Sequence, residues 1–516
     1  MFRVLRNPFL VLLATAILFV AVSSQAQEQP SVSQEQIDAL KQKLDQLLQQ
    51  ASEIKKQIDG LKGSVKSSQM PAAAKETQDQ RNVEAVPNPS PSPASEAPSA
   101  EGAGTPPPVA NSQDQSSVTD ASVIDNASPA LPLPAPEAPT ASPITIVTSA
   151  GGKNFLNLSL DGLFAAGTST ARDVAALQTG GHDPAQRGFT VQNVETVFDG
   201  AVDPYFRGQA NLVLQITPEG GTQVELEEAY ATTTSLPKGL QVKAGQFFTE
   251  FGRLNPQHPH SWDFVDQPLV NGRFFGPDGL RSAGARVSWL LPTSFYSEAF
   301  VALQNSQGET ATSFRSVPGD TLFGRTIQER AVSSISDLLI VPRYTASFDL
   351  SDTQTLLLGG SAALGPNGTG DSGRTRIYGL DGFWKWKPSN AFQGFPFVKI
   401  QGEVMRRSAS VAAVPQQTAA ATFKDWGGYL QVNWGYKAGH VLGFRVDRVD
   451  GDQGDPHDDA LSPRWRLSPA LTWFPTEFSK LRLQYNLDRS DAFQKTEHSL
   501  WLQLEFLLGA HAAHKF

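Results

Sequence analysis

The sequence contains no cysteine. Disulfides, thiolate metal sites and cysteine nucleophiles are therefore excluded. It also lacks an excess of positive charge. Its 42 Lys and Arg stand against 51 Asp and Glu, a formal net charge of −9, so no basic surface is offered to a nucleic acid. Long apolar runs are missing apart from one at the start, and the mean hydropathy is negative. This excludes a bundle of membrane-spanning helices. It leaves room for a membrane β-barrel, whose strands alternate lipid-facing and lumen-facing residues and so keep average hydropathy modest. Finally, there is no G-x-S-x-G, H-E-x-x-H or P-loop, so no motif for turnover chemistry stands out.

What is present falls into four parts. Arg3 and Arg6 precede the apolar run 9–22, and Ser24-Gln25-Ala26 follows it. A charged start, a short apolar stretch and a small-x-small site predict a signal peptide over 1–26 that sends the chain out of the cytoplasm. Residues 33–62 carry a seven-residue repeat. Ile37, Leu44, Ala51 and Ile58 form one seam position, and Leu40, Leu47, Ile54 and Leu61 the other. Unbroken 3,4 spacing over four repeats predicts a coiled-coil helix. Residues 63–152 are rich in Pro, Ala and Ser, as in PNPSPSPASEAP. Such a stretch cannot bury a core and is expected to be a disordered periplasmic tether.

From 153 to 516 the texture changes to segments of about ten residues that alternate apolar and polar. Sixteen are predicted: 154–165, 188–199, 204–216, 222–233, 239–248, 282–291, 295–305, 340–350, 353–363, 374–386, 395–407, 423–435, 440–450, 463–474, 479–488 and 496–508. The length suits a tilted strand crossing a bilayer. Connections alternate short and long, with 217–221 short where a long one is due. The expected fold is an all-β transmembrane barrel of about 16 antiparallel strands, preceded by the coiled coil and the linker. An even strand count puts both barrel ends on the side of the tether. One fault stands out. Glu228 falls on the lipid phase set by Val224, Leu226 and Tyr230, which would cost on the order of a few kcal/mol at the midplane. A bulge or a protein contact would remove the conflict.

The stretch 249–281 is the third loop on the side of the long connections, aromatic and rich in Pro and Gly. It is expected to fold into the lumen, with Phe251, Trp262, Phe264, Phe274 and Phe275 against the wall. Rings or ladders of charge at a constriction set selectivity in a wide barrel. The candidate constriction residues are Arg253, Asp263, Asp266, Arg273 and Arg281, with Arg207, Lys243 and Arg286 lining the lumen. The loop also holds Glu250 and Asp278, so three cations face four anions and its charge favours neither sign. His258 and His260 form a pair without a third ligand in the local pattern, as do His511 and His514; loop polarity is the expected reading. The acidic run from Asp450 to Asp459 lacks EF-hand spacing. No catalytic residue, metal or cofactor is expected.

At Lys243–Gly252, KAGQFFTEFG, the sequence resembles the phosphate-selective porin O and P family. Glu228-Ala229-Tyr230, Asp203-Pro204 followed by 205–211, and Leu280-Arg281-Ser282-Ala283-Gly284 are similar to its other signatures. The resemblance covers about 188–287 firmly. It implies a sixteen-stranded homotrimeric outer-membrane porin with an inward third loop. The arginine ladder and lysine cluster of the phosphate specialists are not located in this sequence. The expected function is thus a passive outer-membrane channel for small hydrophilic solutes, including anions such as phosphate. A structural anchor that joins outer-membrane lipid to the cell wall through the coiled coil is the first alternative, and a barrel enzyme the second.

Overall fold

The computed structural model describes residues 144–148, 154–217, 220–493 and 495–509. These belong to one unit, Ala127–Phe516. The expected signal peptide, coiled coil and nearly all of the linker lie outside the described residues, as does the tail from 510 onward.

The strands, in chain order, are β1 (Ile144–Thr148), β2 (Phe155–Ser169), β3 (Gly188–Ala201), β4 (Phe206–Ile216), β5 (Thr222–Thr233), β6 (Leu240–Phe248), β7 (Arg281–Leu290), β8 (Tyr296–Gln304), β9 (Thr321–Leu322), β10 (Arg325–Thr326), β11 (Leu339–Ser351), β12 (Gln354–Pro366), β13 (Arg374–Trp386), β14 (Phe397–Val411), β15 (Ala421–Lys437), β16 (His440–Gly451), β17 (Arg464–Thr476), β18 (Ser479–Ser490) and β19 (Glu497–Leu508). One α-helix, α1 (Leu269–Phe275), stands among the described residues. All sixteen expected segments are strands, and the fourth and tenth match to the residue.

Strands β2 to β8 and β11 to β19 each run antiparallel to the next. β8 pairs directly with β11, and β19 pairs with β2, so the sheet closes on itself. The result is a sixteen-stranded antiparallel barrel without a free edge. β1 adds antiparallel to the start of β2. β9 and β10 form a small hairpin within the long β8–β11 connection.

Alternation decides which side chain meets which medium. In β16, Leu442 and Phe444 are exposed on the outside, whereas Arg445 and Asp447 are fully buried inside. β7 repeats this with Val287 and Trp289 outside and Arg286 and Ser288 inside. A charge-rich interior under an apolar exterior inverts the order of a water-soluble core and is the pattern of a barrel surrounded by lipid. Exposed Trp289, Tyr296, Trp434, Tyr436, Phe474 and Phe478 gather at the end of the short turns, where an aromatic girdle meets a bilayer interface.

The Glu228 conflict is resolved by a bulge. Asn211 pairs with Glu228 and Leu212 with Leu226, which leaves Glu227 as the extra residue. An extra residue resets the two-residue phase. Glu227 and Glu228 both turn inward and are buried.

Candidate constriction and the loop that builds it

Residues 249–280 leave β6 and return to β7 after crossing the barrel interior. Asn255 ties the two ends of this loop together. Its Nδ2 donates to the carbonyls of Thr249 at 2.8 Å and Leu280 at 2.9 Å, and its Oδ1 accepts from the Leu280 amide at 2.8 Å. These three bonds from one buried side chain reinforce the last backbone bond between the two ends, from the Thr249 amide to the Leu280 carbonyl at 2.9 Å. The chain turns at Gly252, whose φ is +62°. A Cβ there would also run into Glu403 Oε2, so glycine is required on two counts.

Apolar packing holds the middle of the loop. Phe251, Leu254, Leu269, Val270, Phe274 and Phe275 form a buried cluster with Ala302, Phe314, Ile377, Met405 and Val449. The β8–β11 connection joins it from the long-loop end: Phe314 enters this cluster, and Phe323 stacks on Phe423 at 5.2 Å. Arg407 lies between the two loops, its Cζ 4.8 Å from the rings of both Phe274 and Phe323.

Charged clamps fix the loop to the wall. Asp266 receives Arg445 Nη2 and Arg466 Nη1, each at 2.7 Å, with Gln484 Nε2 at 2.8 Å and Asn486 Nδ2 at 2.6 Å. Burial pushes the Asp266 carboxyl up, but the two guanidinium groups prevail and hold it down at about 2. Arg273 meets Asp425 at 3.0 Å, which also takes Arg407 at 2.7 Å. Glu250 takes Lys243 at 3.0 Å and Arg286 at 3.1 Å. Burial raises the Glu250 carboxyl, and these two cations bring it below the usual range. Arg281 is the first residue of β7 rather than part of the loop, and it binds Glu225 and the Glu227 carbonyl.

The predicted site residues therefore divide. Asp266, Arg273, Arg281 and Arg286 are enclosed and paired: Asp266, Arg273 and Arg286 secure the loop, Arg281 ties β7 to β5, and none presents free charge to a water-filled space. Arg207 is open, its side chain 56% exposed beside Asp199 at 3.2 Å. Arg253 stacks 4.1 Å over Phe383 and donates from Nε to Gln401 at 3.1 Å. Asp263 accepts from Lys399 Nζ at 2.5 Å and from Gln431 and Asn433.

Around these last two lies a patch that the sequence reading missed. Lys385 and Lys399 are cross-strand partners on β13 and β14, and Phe383, under Arg253, lies two residues before Lys385 on the same face. Lys385 and Lys387 border a cavity of about 510 Å³ with Asp349, Gln354 and Thr355. The signal was available: counting by two from inward Asp381 places Lys385 inside, and Trp384 and Trp386 outside.

The histidine pair also has company that its local sequence does not show. His258 Nδ1 lies 2.8 Å from Glu227 Oε2 and 3.2 Å from Glu195 Oε1, and its Nε2 lies 3.0 Å from Glu228 Oε2. His260 Nδ1 is 3.0 Å from Glu195 Oε2, and His182 Nε2 is 3.6 Å from Glu227 Oε1. All six are buried. Burial alone would hold these imidazoles neutral, yet the carboxylates around them raise the pKa of His182, His258 and His260, that of His258 most. The expectation of plain loop polarity is thus corrected: the bulge turns Glu227 and Glu228 toward the histidines of the loop, and Glu195 of β3 joins them.

A protein of Aquifex aeolicus (strain VF5), itself uncharacterized, is 34% identical over 363 residues, which span 65% of this chain and 73% of the relative. This chain belongs to its family. No family model matches the sequence. Among solved structures, the chain is similar to the outer membrane channel DcaP of Acinetobacter baumannii (11% identity, 72% of this chain and 100% of that one, TM-score 0.48). It is also similar to OmpF of Salmonella typhi in complex with daunomycin (12%, 70% and 100%, 0.45) and to an anion-selective porin of Comamonas acidovorans (8%, 69% and 100%, 0.42).

Proposed function

We propose that this chain is a bacterial outer-membrane porin, a passive channel for small hydrophilic solutes that performs no turnover chemistry. The observation that carries this is the closed sixteen-stranded barrel with an apolar outside, a charged inside and a long loop across its interior. Barrels of this strand number leave an aqueous channel, and an inward loop narrows it. The N-terminal coiled coil and linker then extend into the periplasm, and three copies assemble as a homotrimer, as the resemblance to the porin O and P family implies.

Anions such as phosphate are the favoured solutes. Arg253, Lys385, Lys387 and Lys399 share one patch of the inner wall, with Asp263, Asp381 and Glu403 beside Arg253. Such clusters raise the local concentration of the opposite charge. Planar-bilayer recording of the purified protein tests both parts. Open-channel current is expected, with reversal potentials in chloride, phosphate and pyrophosphate gradients that favour the anion. No current from folded protein would remove the channel reading.

The apolar cluster that the loop builds inside the barrel favours a second reading, in which the barrel serves mainly as a membrane anchor for the periplasmic segment. The same recording separates the two.

A further inference from the structure

The His258 cluster has the layout of a metal centre. His258 Nδ1, one oxygen of Glu195 and one of Glu227 all lie within 4.8 Å of one another. His258 Nε2 faces Glu228 and Nδ1 faces Glu227 and Glu195, all acceptors, so a cation at Nδ1 would take the place of a proton there while Nε2 keeps its own. Nδ1 lies 2.8 Å and 3.2 Å from these two carboxylate oxygens. Glu227 Oε2 is fully enclosed, and although Nδ1 is 2.8 Å away the two are not aligned as donor and acceptor. Adjacent ligands held at about 2.0–2.2 Å from one ion lie roughly 3 Å from each other. The spacing therefore suits three groups directed at a common cation.

The outer atoms of these groups are supported as well. Glu228 lies on the far nitrogen of His258, His260 beside the second oxygen of Glu195, and His182 near the second oxygen of Glu227. A carboxylate behind a metal-bound imidazole is the usual way its orientation is fixed. A cavity of about 20 Å³ borders Glu227, His182, Trp262 and Asp278, enough for one water-sized ligand.

We propose that Glu195, Glu227 and His258 bind a divalent transition-metal ion, Zn²⁺ or Mn²⁺ in class, that pins the interior loop to β3 and β5. One imidazole and two carboxylates make a borderline-to-hard set suited to these ions. The ion joins residues from three elements, so it stabilises the loop against the wall. The site stands whether or not the barrel conducts.

Full-length protein in detergent, stripped with a chelator, is titrated calorimetrically with Zn²⁺ and, separately, Mn²⁺. A single site is expected for at least one of them, retained in His457→Ala, which removes an exposed imidazole elsewhere, and weakened at least ~10-fold in Glu227→Gln. Absence of binding to the wild type overturns the proposal and assigns the positive charge of the cluster to protonated imidazoles. A site that survives in folded Glu227→Gln, or disappears in His457→Ala, also overturns it. Should Glu227→Gln fail to fold, the wild type decides through its thermal midpoint. A rise with the ion that the chelator reverses, and that His457→Ala keeps, supports the site; an unchanged midpoint refutes it.

Discussion

Asp266 shows how a single residue holds the interior loop. It is fully buried and takes four donors from three strands of the wall. Removing one partner of a buried ion pair costs about 3–5 kcal/mol, because the other charge is left without compensation. Arg445 and Arg466 each keep a second carboxylate, Asp447 and Asp488, so Asp266→Asn belongs at the lower end, near 3 kcal/mol. The folded carboxyl lies at about 2 against 3.8 in the free residue. Its contribution is therefore complete above pH 3.8 and is lost as pH falls through about 2; the difference amounts to roughly 2 kcal/mol. Denaturant unfolding of wild type and Asp266→Asn across this window checks it, since the gap between them should narrow with acid. A gap that stays constant from neutrality to pH 2 would refute the clamp.

Selectivity depends on which inward cations remain open. Arg286 lies inside by alternation, but it is 1% exposed and paired with Glu250. Lys399 is partly open, and its loss also uncovers Asp263. Lys399→Gln is expected to move reversal potentials in a salt gradient toward cations by more than Arg286→Ala does. The reverse order would relocate the filter to the β6–β7 wall.

At the scale of elements, the strands and the loop were not equally legible. A strand that crosses lipid must repeat every two residues, and that rule is local, so β5 and β13 could be read to the residue. Even the misplaced Glu228 marked a bulge. The loop was legible in position and in its aromatic residues, but not in its bonds. Asp266 meets Arg445 and Arg466, which lie 179 and 200 residues later. Alternation reports which side chains point inward. It does not report whether they then face water, another wall or the loop. For the same reason Lys385 and Lys399 were missed, and His258 was read apart from Glu195 and Glu227.

The base of the loop gives a test at this scale. Asn255→Ala removes three hydrogen bonds and leaves the Leu280 amide without this acceptor, while the Thr249 and Leu280 carbonyls keep the amides of Phe251 and Thr249. Each net bond contributes about 1 kcal/mol, and unsatisfied buried groups cost more, so a loss of roughly 3 kcal/mol is expected. The loss should be local. Hydrogen exchange should quicken across 249–280 while the barrel strands keep their protection. Equal loss of protection in β13 and β14 would mean that loop and barrel form one cooperative unit.

For the molecule as a whole, the question is what the barrel owes to the segment before it. Strand closure runs from β2 to β19, and β1, at 144–148, is the earliest described element that touches it. Among the described residues, the polar clamps of the loop come from the stretch between Gly181 and Asn486. Nothing in that set of contacts calls on residues before Ile144, and a Pro-, Ala- and Ser-rich stretch supplies no apolar face with which to add one. A chain shortened by residues 27–143 should therefore insert, keep the thermal midpoint of the full barrel and show the same unit conductance. Its cost should appear only in cells, as weaker attachment of the outer membrane to the cell wall, if the coiled coil tethers. Purified shortened barrels that lose conductance or melt earlier would show that the preceding segment contributes to the channel itself, and the separation of barrel and tether would fall.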